Sequence, residues 1–185
     1  MNADTQQSEK LARLLRTSAW LAHAAKIAAL LLLATNAAMW LIPEFTAEVV
    51  RSQTAIGASP MTLTLGGRAA ALAVSTAYVG LMALALWTVA SLFASFAAGA
   101  IFVPETGTRL RRLGILLLLF GVLSPFFRAI IGIVVTLGNE EGQRILALSI
   151  GSQDIIVALV AALLIALGHI MAEAAAIADD NRQIV

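Results

Sequence analysis

Hydrophobic residues in this chain run in long charge-free blocks rather than alternating with polar ones at a helical or strand period. A helix that crosses a hydrocarbon core of about 30 Å needs about 20 consecutive apolar residues. Four blocks reach that length. The first covers residues 21–43, with His23 and Lys26 tolerated near its start because a lysine close to a helix end can snorkel to the interface, and Pro43 closes it. The second covers 69–93 and stays free of charge as far as Val103, so residues 94–101 are expected to emerge along the membrane surface before Pro104. The third, 114–137, is interrupted only by Pro125 and Arg128. The fourth, 155–172, carries His169 as its single titratable group, and a polar helical tail follows over 173–185. The pattern predicts an all-α integral membrane protein, a single membrane domain over residues 1–185 built as a bundle of four transmembrane helices.

Two segments between the spans follow a different rhythm. Met61-Thr62-Leu63-Thr64-Leu65 alternates apolar and polar, and residues 144–150 form a β-capable run with partial alternation. Ser59-Pro60 and Gly138-Asn139 punctuate their starts, and a glycine follows each before the next span. Paired outside the membrane, they would make a small extracytoplasmic two-strand cap. Laying Leu63-Thr64-Leu65-Gly66 on Leu148-Ser149-Ile150-Gly151 also brings Lys26 onto Arg111 and Leu30 onto Ile115. That register reads as a parallel internal repeat, although Leu-rich helices match one another by chance, and both explanations stay open.

Composition explains what the blocks face. Hydrophobic residues make up 60% and charged residues 12%, against about 45–50% and about 25% in soluble domains, so the excess faces lipid. There is no cysteine, hence no disulfide, thiolate metal site or Cys nucleophile. A net charge of +1 without a basic stripe argues against direct nucleic-acid binding. The basic residues are unevenly placed: Lys10, Arg13, Arg16 and Lys26 flank the first span, Arg109, Arg111 and Arg112 lie in the second loop and Arg182 in the tail. Against them stand Arg51 and Arg68 in the first loop and Arg144 in the third. Positive residues are retained on the cytoplasmic side, so both termini are expected in the cytoplasm of an inner-membrane, multi-pass protein. A cleaved signal peptide is the competing reading of the first span. Asp4 and Glu9 in a long leading segment, the poor cleavage site Thr35-Asn36-Ala37 and the interfacial position of Trp40 argue against it.

Arg128 is the most informative side chain. It lies roughly 21 Å from Gly114 and about 13 Å from Leu137 along a helix, beyond easy snorkelling. One reading makes it, with Asn36 and Tyr78, the wall of a polar cavity for an anionic or polar ligand. The other makes it a structural tie to Asp154, which heads the fourth helix on the same side, helped by the carbonyl that Pro125 frees. The structural reading is preferred, because no second charge lies at matching depth. Small residues nominate helix contacts at Ala158, Ala162 and Ala166, and at Ser91, Ser95 and Gly99. His23, His169 and Glu173 read as interfacial residues rather than as a zinc site, and Glu140-Glu141 as a solvated turn. No phosphate-binding loop, nucleophile elbow or metal-binding helix motif occurs, so no catalytic residue, metal or cofactor is assigned and the chain is not expected to be an enzyme.

The ending, Gly168-His169-Ile170-Met171-Ala172-Glu173-Ala174 through Asp180-Asn181 to Ile184-Val185, resembles that of a family of small four-span bacterial membrane proteins, domain of unknown function 2975. Residues 144–154 look like that family's pattern before its last helix, and Arg111-Arg112-Leu113-Gly114 like its entry to the third. The resemblance covers most of the chain from the first span onward through short motifs. It implies a four-helix inner-membrane protein, sometimes encoded beside a small helix-turn-helix regulator, and brings no catalytic or binding residues with it. The expected function is a non-enzymatic sensor or regulatory membrane protein. Its tail (Glu173, Asp179, Asp180 and Arg182) would meet a cytoplasmic regulatory protein. The alternative is a small transporter or channel subunit using Arg128, which would require a homo-oligomer because four helices rarely enclose a pathway.

Overall fold

The computed structural model describes residues 2–54, 61–100, 103–140, 146 and 148–183. These form five helices: α1 (Asn2–Leu41), α2 (Pro43–Gln53), α3 (Leu65–Ala97), α4 (Pro104–Thr136) and α5 (Ser152–Gln183). Four of them contain stretches long and apolar enough to cross a membrane, namely Ala12–Leu41, Leu65–Ala97, Pro104–Thr136 and Ser152–Ala178. The protein is an all-α, multi-pass membrane protein with a four-helix bundle. Helices suit this role because each satisfies its backbone donors and acceptors within the segment. Large apolar side chains such as Leu30, Leu31, Leu159 and Leu163 stay exposed, as a lipid-facing surface requires.

Each long helix outruns its apolar block, since polar residues alone do not stop a helix. Local chemistry does. The α3 N-terminus is capped by Thr64, whose Oγ1 accepts the Gly67 N–H at 3.0 Å, so the helix begins at Leu65 and not at 69. Its other end closes on Gly99 with φ +80°. There the Ala100 N–H donates to the Ser95 carbonyl and the Gly99 N–H to the Phe96 carbonyl, each at 3.0 Å, the paired bonds of a Schellman motif. Residues 94–97, expected to leave along the membrane surface, therefore remain helical.

Pro43 ends α1 as expected, but it also opens a helix that the span pattern did not announce. Ile42 is extended (φ −106°, ψ 108°), as a residue before proline prefers, and Pro43 then supplies a preset first helical position for α2. Thr46 fastens the two helices, its Oγ1 bonding to the carbonyls of Met39 (2.5 Å) and Ile42 (3.0 Å). Thr46 and Val50 are buried on one face of α2, whereas Glu48, Arg51 and Ser52 are exposed on the other.

Among the described residues there is no strand, including the described part of the expected two-strand cap. Thr62 donates its N–H to Asn139 Oδ1 (3.1 Å), and Thr64 is committed to capping α3. In the second segment, Leu146 and residues 148–150 carry no regular structure, while 144, 145 and 147 lie outside the described residues. The first loop also holds α2, which has no counterpart among the described residues that follow α4.

The chain divides into two compact units. Unit one comprises Met1–Ala29, Leu84–Leu116 and Val160–Val185. Within it α4 and α5 meet backbone to backbone: a Cβ on Gly107 would lie 2.7 Å from the Gly168 carbonyl oxygen, one on Gly114 2.8 Å from that of Ala161, and one on Gly168 2.6 Å from the Arg111 nitrogen. Only glycine permits that approach. The fully buried α5 residue is Ala161. The nominated row fares differently, with Ala162 and Ala166 exposed and Ala158 half-buried. In the other row, Ser91 and Ser95 meet α4, because Arg109 donates to the Ser91 carbonyl (2.9 Å) and to Ser95 Oγ, whereas Gly99 is exposed with nothing within 4 Å of its Cβ position. Unit two comprises Leu30–Ala83 and Leu117–Leu159, around a core of Trp40, Val50, Ala71, Ile131 and Val135. Here the α4–α5 contact continues at Gly121, whose Cβ would sit 3.2 Å from Val157 Cγ1.

Candidate functional site

Unit two holds the site, and its chemistry starts at the N-terminus of α5. Gly151 precedes the helix, and Asp154 in the first turn reaches back so that its Oδ2 accepts the Gly151 N–H at 2.8 Å, one half of a capping box. A carboxylate is also favoured there by the positive end of the helix dipole. The same carboxylate faces Arg128 of α4. Arg128 Nη2 donates to Asp154 Oδ2 at 2.6 Å and Nη1 to Oδ1 at 3.3 Å, a bidentate pair in which the side chains retain 20% and 10% exposure. Nη1 also donates to Ser124 Oγ (2.6 Å), one turn back on α4, and Nη2 to the Ser149 carbonyl (2.7 Å). Four of the five guanidinium donors are thereby used.

Arg128 also borders a cavity of about 580 Å³ lined from α1, α2, α3 and α4. Asn36 is on its α1 wall, nearly buried, donating Nδ2 to Thr76 Oγ1 at 3.1 Å. One turn on, the Trp40 Nε1–H donates to Ser75 Oγ (2.8 Å), and the Ser75 hydroxyl donates to the Leu72 carbonyl (3.1 Å). On α3, the Tyr78 ring stacks on Phe120 (4.5 Å between centroids) and Phe127 (4.2 Å), with its hydroxyl donating to the Phe120 carbonyl at 3.2 Å. Phe45 and Val49 of α2 contribute apolar wall.

Three of the residues singled out in the sequence, Arg128, Asn36 and Tyr78, thus line one cavity, and Asp154 holds Arg128 in its wall. The structural and cavity-lining readings of Arg128 describe the same side chain and do not exclude each other. Ser124, Ser149 and Ser75 are not read as site residues from the sequence, and Trp40, read there as an interfacial aromatic, is buried in the core. Ser124 had a signal, since it stands four residues before Arg128 and shares its helix face. Ser149 had none, because its contribution is a backbone carbonyl. Of the tail residues, Glu173 is exposed on α5, whereas Asp179, Asp180 and Arg182 lie within the helix with side chains outside the described set. His23 Nδ1 bonds to the Ala19 carbonyl of its own helix (2.8 Å), and His169 is exposed. Among the described residues no three His, Asp or Glu side chains gather where a metal ion could be held. Comparison with protein-family models, curated proteins and solved structures finds no match, so the site is read from its own geometry.

Proposed function

We propose that this chain is a non-enzymatic sensor or regulatory protein of the inner membrane, taking a ligand in the cavity of unit two and meeting a soluble cytoplasmic partner through the end of α5. The observation that carries this reading is the closed Arg128–Asp154 pair beside an apolar cavity. Arg128 is the single charged side chain among the described lining residues, and its charge is already matched, which removes the free cationic station that an anion pathway would need. That weighs against the transporter or channel alternative. Placing both termini in the cytoplasm rests on the Lys and Arg distribution. In that orientation α5, helical through Gln183, carries Glu173 and the acidic positions Asp179 and Asp180 toward a partner. The resemblance to domain of unknown function 2975 supports a regulatory protein as that partner.

The test replaces residues 173–185 by a Gly-Ser segment. Capture of soluble proteins on the immobilised protein in detergent extracts is then lost while membrane insertion is retained. Unchanged capture would overturn the role of the tail.

A further inference from the structure

The one charged side chain lining the cavity of unit two among the described residues, Arg128, is already paired. An anion entering the cavity would compete with a carboxylate already bound to Arg128 at 2.6 Å, and displacing Asp154 would strand that carboxylate. A cation would meet the guanidinium itself. The pair as a whole is neutral and so favours a neutral guest.

The remaining polar groups define what that guest can offer. Tyr78 and Trp40 spend their donors on the Phe120 carbonyl and on Ser75 Oγ. Thr54 donates to the Val50 carbonyl, and Thr35 adds a hydroxyl to the wall. Among the remaining polar side chains two atoms keep capacity. Arg128 Nε–H, the fifth guanidinium donor, has no acceptor among the described residues, and Asn36 Oδ1 accepts from none of them while its Nδ2 is held by Thr76. Most of the remaining wall is aliphatic and aromatic, including Val79, Phe127 and Ile131. The volume, about 580 Å³, lies within the roughly 300–1,000 Å³ of small-molecule sites.

From this match of charge and hydrogen-bonding capacity we infer that the cavity binds an uncharged amphiphile. Its apolar chain or ring body fills the space between α1, α2, α3 and α4, while a carbonyl, ester or hydroxyl oxygen accepts from Arg128 Nε–H and a hydroxyl donates to Asn36 Oδ1. This inference rests on the ligand-sensing reading above and names the chemistry of the ligand. The same chemistry is supplied by a neutral membrane lipid or by an apolar solute partitioned into the bilayer.

The chain carries its own reporter. Of its three tryptophans, Trp20 and Trp87 are exposed (71% and 53%), whereas Trp40 is buried at 3% and lines the cavity. The full-length Trp20→Phe/Trp87→Phe protein, in detergent, is titrated with a brominated monoacylglycerol, the matching brominated fatty acid at a pH where it is ionised, and a brominated alkylamine. Saturable quenching of Trp40 by the monoacylglycerol, at an apparent affinity at least about tenfold above the two charged probes, is the expected result. Asn36→Leu weakens that affinity by up to about tenfold, one hydrogen bond's worth. Val79→Phe, which fills the space, removes the saturable phase. Stronger quenching by the fatty acid anion overturns the neutral chemistry and leaves the ligand reading standing. Quenching that fails to saturate with all three probes and is unchanged by both variants overturns the two together. Mass spectrometry of an organic extract of the purified protein separates the sources. A near-stoichiometric neutral lipid identifies the membrane lipid, and its absence alongside monoacylglycerol binding identifies a partitioned solute.

Discussion

At the scale of single residues, the membrane makes the Arg128–Asp154 pair asymmetric. Asp154 keeps the Gly151 N–H and the helix terminus if Arg128 is lost, whereas Arg128 without Asp154 keeps only the neutral oxygens of Ser124 and Ser149. Asp154→Ala should therefore destabilise by about 3–5 kcal/mol, the cost of stranding one partner of a buried pair. The double variant Arg128→Leu/Asp154→Leu should lose much less. Thermal melts in detergent read both, and a silent Asp154→Ala would show that water solvates the guanidinium instead. A second residue offers the opposite sign. Thr106 Oγ1 is buried in the first turns of α4 with no hydrogen-bond partner among the described residues, a desolvated group with no bond there to offset its burial. Thr106→Val should raise stability, by an amount on the order of 1–3 kcal/mol, in the same melts. A lowered melting temperature would show that the hydroxyl is paired in the membrane.

At the scale of elements, α4 carries glycine at 107, 114 and 121, one heptad apart, and the next step of that repeat is Arg128. Each glycine faces α5, and the partners on that helix, Gly168, Ala161 and Asp154, recur at the same interval in the opposite direction. A seven-residue repeat keeps a seam facing the partner helix within each unit. Within unit one the seam is glycine against small residue, and within unit two it ends in the ion pair. Gly114→Ala would place a Cβ 2.8 Å from the Ala161 carbonyl oxygen and 2.9 Å from the Ile165 nitrogen, so α5 must move. A loss of about 1–3 kcal/mol is expected from such overpacking. Gly80→Ala on α3 is the control, since nothing lies within 4 Å of its Cβ. It should be neutral or stabilising by up to about 1 kcal/mol, the helix preference of alanine over glycine. Equal melting temperatures for the two variants would disprove the seam.

At the scale of the whole molecule, the prediction concerns sidedness. With both termini in the cytoplasm, Ser52 in α2 and Gln143 after α4 lie outside, and Thr108 at the start of α4 lies inside. Single cysteines at these positions in the cysteine-free chain report this directly through an impermeant thiol reagent. Ser52 and Thr108 are exposed, so neither site is masked by packing within the chain. Positions 52 and 143 should label on intact cells and position 108 only after permeabilisation. Labelling of position 108 from outside would reverse the topology and move the α5 extension away from any cytoplasmic partner.

The sequence by itself determined the four spans, because apolar length without charge is a local property and lipid admits only a helix for such a segment. It also marked Arg128, Asn36 and Tyr78, since a polar residue inside an apolar block stands out without knowledge of its neighbours, and Asp154 as the carboxylate heading the fourth block. Helix ends were less legible: Thr64 reads equally as a strand residue or a cap until the Gly67 N–H is seen to point at it. Only the tertiary structure decided that Thr46 ties α2 to the end of α1, and that Ala161 rather than Ala162 meets α4. It alone brought Asn36, Tyr78 and Arg128 to one cavity. In a chain this rich in alanine and leucine every helix face is apolar enough to pack. The choice among faces falls to close backbone approach and to the pairing of a few polar groups, which are properties of two segments at once.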